Sequence, residues 1–319
     1  MNLGILGSGK IVPLFLDALK EGLQETAYAI CGREESIVKL KKLQEEHGIR
    51  KIYTDRAAFL QDESLDAVYV ALPNDLHYSA AKEALLAGKH VILEKPFTVT
   101  YEEGEELFRI ADEKGLGLYE NVSTTANPNL EQVRRWLDLI GPVRLVTADY
   151  SQYSSRYTDF INGIIHPALD VHHNGGALRD LGVYPLQFLA SLFGAPKSLT
   201  AKAHFQRGVD TSVAVVLDYG KMIASITASK ETDGRSGFMI QGEKGRIWCD
   251  TPPNYMEKVY LLTEERSEEK DVRRFRNRLA EGIVLFEEAV DQKQPLPETF
   301  RKNTEIVLEM VDTAAAILY

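Results

Sequence analysis

Cysteine is nearly absent from this chain: among 319 residues only Cys31 and Cys249 occur, each inside an apolar run. Two such thiols do not make the disulfide framework of a small secreted scaffold, and they fit a reducing cytosol. Basic residues are also in deficit, with 37 Lys and Arg against 47 Asp and Glu, a formal net charge of −10. The summed field opposes nucleic acid and anionic membrane surfaces, so any phosphate must be bound by local groups. No uncharged apolar run reaches membrane-spanning length, and MNLGILGSGK lacks the basic region, apolar stretch and small-residue cleavage site of an export signal. Internal repeats and low-complexity segments are missing as well. What is present is ordinary globular composition, 44% apolar, 26% charged and 9% aromatic, which excludes a disordered or collagen-like chain. The length leaves room for two cores. The expectation is a cytoplasmic protein with no membrane and no nucleic-acid partner.

The first third alternates short apolar runs with amphipathic stretches. Asn2–Leu6 reads as a strand, Gly7-Ser8-Gly9 as a tight turn, and Ile11, Leu14, Phe15, Ala18 and Leu19 as one face of a helix. Pro13 suits the first helical turn, where N–H groups have no intrahelical partner. Strands are predicted at 28–31, 67–71, 90–93 and 116–119, with helices at 77–87 and 101–114 between them. This alternation predicts an α/β fold, a doubly wound parallel sheet over residues 1–120. Beyond Pro128 comes an amphipathic helix to about Ile140, a Gly141-Pro142 break and a long alternating strand over 143–153. Strand candidates then follow one another directly at 198–205, 212–217, 222–228, 238–241 and 246–249, joined by turns such as Asp218-Tyr219-Gly220-Lys221. Residues 121–319 are therefore expected to form an α+β domain with an open, mainly antiparallel sheet, one face covered by a helix over 176–193. Helices predicted at 271–291 and 300–318 close the chain, as candidates to pack back on the first domain.

Gly7-x-Gly9-x-x-Val12 lies between strand and helix, the setting in which glycines let the backbone approach a pyrophosphate at a helix N-terminus. With Val12 where the tightest versions have Gly or Ala, the helix is expected to pack slightly farther from the strand. NAD-selective sites place an acidic residue at the end of the second strand, against the ribose 2′-OH. Here that strand ends Cys31-Gly32-Arg33, with no carboxylate before Glu34. A guanidinium at that place suits the dianionic 2′-phosphate of NADP, with NAD as the alternative, although a merely solvated Arg33 fits the sequence too.

Three further blocks are more specific. They are Leu72-Pro73-Asn74-Asp75-Leu76-His77, then Ala87-Gly88-Lys89-His90-Val91-Ile92-Leu93-Glu94-Lys95-Pro96, and Gly175-Gly176-Ala177-Leu178-Arg179-Asp180-Leu181-Gly182-Val183-Tyr184. Together they resemble the Gfo/Idh/MocA oxidoreductase family, whose members carry Pro-Asn-x-x-His, Ala-Gly-Lys-His-Val, Glu-Lys-Pro and Gly-Gly-x-x-x-Asp-x-Gly-x-His/Tyr motifs in this order. The resemblance implies a Rossmann domain and a nicotinamide cofactor facing the second domain's sheet. It implies cofactor contacts from Gly7, Ser8, Gly9, Lys10, Ile11, Gly32, Arg33, Leu72, Pro73, Asn74, His77, Glu94 and Lys95. It also implies that Lys95 stands beside the nicotinamide and the substrate oxygen, that Asp180 orients substrate, and that Tyr184 takes the place where many members have histidine. Tyrosine there is similar to the dihydrodiol dehydrogenase and glucose-fructose oxidoreductase branch, which uses NADP.

The chemistry agrees with those roles. Hydride exchange between a nicotinamide and an alcohol or carbonyl needs a group to take or give the hydroxyl proton. A tyrosine hydroxyl has a reference pKa of about 10, and a nearby ammonium such as that of Lys95 favours its ionised form. Asp180 and Tyr184, four apart on a predicted helix, project from one face. Tyr184 is thus assigned as proton donor or acceptor, Lys95 as its electrostatic partner or alternate acid, and Asp180 as orienting group. Taken singly, each also reads as an ordinary residue: a solvated lysine, a core tyrosine, a surface carboxylate. The aromatic-Arg-x-His-Pro stretch of the family is replaced by Thr124-Thr125-Ala126-Asn127-Pro128, so a substrate that depends on that arginine is not expected. After His166-Pro167-Ala168-Leu169, the residues Asp170-Val171-His172-His173 look inserted, as a substrate contact, an interface or a plain loop. Their spacing with His166 is poor for a metal, and none is expected.

Two classes remain. One is an NADP-dependent oxidoreductase acting on a hydroxyl or carbonyl of a sugar, cyclitol or similar polyol-like small molecule. The other is a nucleotide-binding regulatory protein of the same fold. Retention of Lys95, Asp180 and Tyr184 favours the enzyme. A homo-oligomer, dimer or tetramer, is expected if the open sheet face around Val213-Val215-Leu217 or its alternates is apolar.

Overall fold

Apolar runs too short for helices, each bounded by turn residues, form a sheet buried on both sides. The computed structural model describes residues 1–319 and divides into two compact units, Met1–Val122 with Phe275–Arg301, and Ser123–Arg274 with Lys302–Tyr319.

In the first unit the elements run β1 (Leu3–Leu6), α1 (Ile11–Leu23), β2 (Ala29–Cys31), α2 (Ile37–His47), β3 (Lys51–Tyr53), α3 (Arg56–Leu60), β4 (Ala67–Val70), α4 (His77–Leu86), β5 (His90–Glu94), α5 (Tyr101–Lys114) and β6 (Leu118–Asn121). The six strands are parallel in the order β3-β2-β1-β4-β5-β6. Every residue of β1, β4 and β6 is buried, as a sheet with helices on both faces requires. α1 buries Val12, Phe15 and Leu19, and the Phe15 ring stacks on Tyr69 of β4 at 3.6 Å. Local sequence sets the helix ends. Thr100 Oγ1 accepts the Glu103 N–H, the Glu103 carboxylate accepts the Val99 N–H, and Gly115 closes α5 in the left-handed region. The order reverses between β1 and β4, so a crevice opens beyond their carboxyl ends. Two features differ from expectation. β3 is an edge strand with no fully buried residue, so it has no apolar run to announce it. β6 starts two residues later than predicted, because Gly117 donates its N–H to the His90 ring instead.

The second unit opens with α6 (Ser123–Ala126) and α7 (Pro128–Trp136) and continues through β7 (Val143–Ser151), α8 (Tyr157–Ile161), α9 (Val183–Phe193), β8 (Ser198–Gln206), β9 (Val209–Asp218), β10 (Ile223–Ser229), β11 (Gly237–Gly242), β12 (Gly245–Cys249), β13 (Val259–Thr263) and β14 (Ser267–Lys270). Its eight strands lie in the order β14-β13-β12-β11-β7-β10-β9-β8, antiparallel except where β10 pairs with β7. Period-two alternation divides the faces. Val146, Ala148, Ile226 and Val215 point into the core, where α9 packs and Phe188 stacks on Phe238 at 4.2 Å. The named trio Val213, Val215 and Leu217 belongs to this buried face; the alternate Val216 of β9 is 45% exposed, beside Leu145 of β7 at 39% and Ile223 of β10 at 53% on the same outer face. On the same outer face Trp248 stacks on Tyr260 at 5.1 Å.

Two helices follow β14, α10 (Ala280–Asp291) and α11 (Glu298–Leu318). The helix expected from Asp271 is therefore shorter by nine residues at its start. Asp271 binds the Arg273 side chain and the Asn129 amide, and the Glu21 carboxylate accepts the Arg276 and Asn277 N–H groups, so the backbone there is committed to other partners. α10 joins the first unit's core through Ile283 and Phe286.

Candidate functional site

In the first unit, the residues expected to hold a cofactor gather at the carboxyl ends of β1, β2, β4 and β5. Gly7 leaves β1 at φ +120°, and a Cβ there would lie 2.3 Å from the Ala71 carbonyl oxygen, so only glycine fits. Its N–H donates to the Cys31 carbonyl at 2.8 Å, which ties the turn to β2. Gly9 and Lys10 are exposed, Ser8 and Ile11 half-buried, and Val12 is buried in the core. No side chain caps α1, and its first turn holds no acidic residue. An uncapped amino end, reached over glycines, is what a pyrophosphate needs, and these residues fit a dinucleotide. At the end of β2, Gly32 donates its N–H to the Tyr53 carbonyl at 3.1 Å, and Arg33 is extended and exposed. The nearest acids, Glu34 and Glu35, lie beyond it in a short 3-10 turn.

Behind β4 and β5 the contacts are tighter. Leu72, Pro73 and Asn74 form a half-buried turn that leads into His77. The His77 residue is only 1% exposed, with Nδ1 2.8 Å from the Pro96 carbonyl oxygen and Nε2 2.9 Å from that of Leu72. Burial lowers its pKa against the pull of the two carbonyls, and a neutral ring has one N–H to give between them. His77, expected as a cofactor contact, thus spends its ring on holding the two loops that carry Pro73 and Lys95. Glu94 is likewise buried: Oε1 accepts from the Tyr69 hydroxyl and the Asn121 amide, each at 2.6 Å, and Oε2 accepts the Lys95 N–H at 3.2 Å. Burial and the adjacent carboxylate push the Tyr69 hydroxyl well above its ordinary pKa. Glu94 is thereby an anchor for the half-buried Lys95. Tyr69 and Asn121 escaped the sequence reading, since an aromatic inside an apolar strand and an amide at a strand end look ordinary.

In the second unit, the structure gives Asp180 and Tyr184 a different helix from the one expected. Leu178–Gly182 is a turn of wider π-helix, and only from Val183 does α9 begin. Gly176, at φ +127°, stands outside it: a Cβ there would lie 1.8 Å from Asp210 Oδ1. Asp210 Oδ2 accepts the Leu178 N–H at 2.6 Å and Oδ1 accepts the Tyr319 hydroxyl at 2.7 Å, while burial raises the carboxyl's pKa. These contacts explain Gly176 and start the wide turn, a feature common at functional sites, while a Cβ on Gly175 would lie 2.5 Å from the Pro167 carbonyl oxygen. Tyr184 is 4% exposed, its ring centroid 5.7 Å from that of Tyr150. Asp180 is half-buried, and its Oδ2 accepts from the Lys230 ammonium at 2.5 Å. Lys230 was missed because nothing in Ser229-Lys230-Glu231 distinguishes it from a solvated lysine at a strand end.

The segment after His166 forms two 3-10 turns, Pro167–Leu169 and Val171–His173, with Asp170 Oδ1 accepting the His172 N–H at 2.9 Å. His166 Nε2 lies 2.8 Å from Asp159 Oδ2, and no group of three or more His, Cys, Asp or Glu side chains is arranged to hold a metal.

Residues 1–122 match the model of the Gfo/Idh/MocA "Oxidoreductase family, NAD-binding Rossmann fold", and residues 130–248 match the model of that family's C-terminal domain. The chain is 34% identical over 252 residues to scyllo-inositol 2-dehydrogenase (NADP(+)) IolU of Bacillus subtilis, covering 79% of this chain and 76% of that protein. It is 33% identical over 242 residues to dTDP-3,4-didehydro-2,6-dideoxy-alpha-D-glucose 3-reductase of Actinomadura kijaniata, with 73% and 71% covered. The crystal structure of KijD10, a 3-ketoreductase from Actinomadura kijaniata, in complex with NADP and TDP-benzene, superimposes with a TM-score of 0.86 at 27% identity, covering 99% of this chain and 97% of that one.

Proposed function

The chain belongs to the Gfo/Idh/MocA family of oxidoreductases, and on that footing we propose that it is an NADP-dependent dehydrogenase or reductase of a sugar, cyclitol or related polyol. The observation that carries the reading is the pair Asp180 and Tyr184 at the junction of the wide turn and α9, with Asp180 fixed by a buried ammonium. The names of the relatives, an inositol dehydrogenase that uses NADP(+) and a 3-ketoreductase crystallised with NADP, support both the cofactor and the substrate class.

Gly7, Ser8, Gly9, Lys10 and Ile11 would receive the pyrophosphate at the start of α1, and the exposed Arg33 would pair with a 2′-phosphate. Leu72, Pro73, Asn74 and Lys95 would line the rest, on loops held by His77 and Glu94. The bound nicotinamide supplies or takes up the hydride. Asp180 accepts a substrate hydroxyl and so fixes which carbon is presented. In reduction the Tyr184 hydroxyl donates its proton to the oxygen that becomes the alcohol, and in oxidation it takes that proton back. The Lys95 ammonium favours negative charge on the reacting oxygen.

Cys31 and Cys249 are buried free thiols, which supports a reducing, cytoplasmic location, and no helix is long and apolar enough to cross a membrane. The outer face bearing Leu145, Val216, Ile223 and the Trp248–Tyr260 stack supports a homo-oligomer, which light scattering would size. Protein stripped of nucleotide, given NADP or NADPH and a panel of cyclitols, aldoses and keto-sugars, should turn over at least one of them, and faster than with NAD or NADH. Tight NADPH binding with no turnover across the panel would make it a nucleotide-binding regulator instead.

A further inference from the structure

We propose that Lys230 is a positioning residue that holds Asp180 and the Pro167–His173 segment together, so that the orienting carboxylate and the inserted residues beside it move as one body. The proposal rests on the reading of Asp180 given above.

Lys230 follows β10, and its backbone is fixed on both sides: its N–H donates to the Thr211 carbonyl and its carbonyl accepts the Ser154 N–H, each at 2.8 Å. Its side chain is 2% exposed, against 30% for Asp180. The ammonium donates to the Ala168 carbonyl at 2.6 Å and to Asp180 Oδ2 at 2.5 Å, partners 62 and 50 residues away in sequence. A cation this deeply buried is tolerated only when paired, and a lysine's compact, multi-donor head can serve two acceptors at once. The carboxylate is thus pinned from the protein side, although its side chain is not fully buried.

The second bond gives the inserted residues a role. The Ala168 carbonyl also accepts the Gly176 N–H at 3.2 Å, and the Asp170 carbonyl accepts the Gly175 N–H at 2.9 Å. The double turn is therefore folded back on the paired glycines and locked there by Lys230. A displacement of Asp170–His173 is transmitted through one ammonium to Asp180, which makes this segment a determinant of which substrate Asp180 accepts.

The test compares Lys230→Met, Asp180→Asn and the double variant. Lys230→Met should lower kcat at least tenfold with NADPH affinity unchanged, and the double variant should be no slower than the slower single one, because both act through one carboxylate. Thermolysin should cut the loop at Ile164, Ile165 or Val171, all exposed, about tenfold faster in Lys230→Met, and at the parental rate in Asp180→Asn, which leaves the Ala168 bond in place. Multiplying losses in the double variant, or loop cleavage unchanged in Lys230→Met, would overturn the proposal. If no substrate is turned over, the functional reading fails, and the cleavage rates still decide whether Lys230 locks the loop. Should Lys230→Met not fold, Lys230→Gln, which removes the charge and ends in a shorter amide, carries the same measurements.

Discussion

The two units position their functional groups by opposite means. In the first, apart from the buried Glu94 carboxylate that anchors Lys95, the work is done by main chain: a glycine turn under the Ala71 carbonyl, an uncapped helix end, and two loop carbonyls that share the His77 ring. In the second it is done by buried charge, with Lys230 on Asp180 and Asp210 under Gly176 and Leu178. A main-chain cradle is indifferent to most side chains and breaks when a Cβ is added. A charged strut accepts no change of partner, since removing one leaves the other uncompensated, a loss of about 3–5 kcal/mol in comparable buried pairs.

That contrast can be broken experimentally. The largest effect is expected from Tyr184→Phe, which removes the proton but keeps the ring: kcat should fall about 100- to 10,000-fold while NADPH titrates as before. Unchanged turnover across pH would move proton transfer to Lys95. Gly7→Ala should be next, because the new methyl meets the Ala71 carbonyl in a backbone region that suits glycine. A strain on the order of 2–3 kcal/mol should appear in a urea melt, together with a comparable loss of NADPH affinity. Arg33→Ala should be milder and selective, weakening NADPH about tenfold, or 1.4 kcal/mol, with NADH nearly untouched. Equal losses for both nucleotides would remove the guanidinium from the cofactor argument.

The smallest effect concerns a carboxylate in the first unit that behaves oppositely to Asp210. Hydrogen bonds from Tyr53 and Lys51 hold the Asp62 carboxyl well below the usual carboxylate range, whereas burial pushes Asp210 up. With the folded value below the unfolded one, Asp62 stabilises fully above about pH 4, and the contribution is lost as pH falls further. Asp62→Asn should therefore cost about 1 kcal/mol or less at neutral pH and flatten the acid limb of a stability-against-pH curve. For Asp210 the sign reverses: its ionisation costs stability as pH rises from the unfolded carboxylate value through the higher folded one.

The same contrast explains what could be read from the sequence. The glycine turn and the buried parallel strands were legible because main-chain demands act locally and leave short, fixed patterns, and the Glu94-Lys95-Pro96 corner was legible through the family motif. Asp180 and Tyr184 were found through a motif, but the wide turn beneath them was not, since its cause is an aspartate 32 residues downstream of Leu178. Lys230 was invisible for the same reason, being identified only by where its ammonium ends. β3 was missed because an edge strand with Lys51 exposed carries no apolar signal, and Asp271 passed for a helical residue because its hydrogen bond to Asn129, 142 residues away, is not written in its neighbours.

The discontinuity of the first unit bears on how the protein is made. Its apolar core draws Leu279, Ala280, Ile283 and Phe286 from beyond the whole of Ser123–Arg274. A nascent chain that has reached Val122 owns all six parallel strands but lacks these side chains to cover them. The first unit, although most of it is synthesised first, is completed only after more than a hundred later residues have left the ribosome, so until then part of its apolar surface stays uncovered.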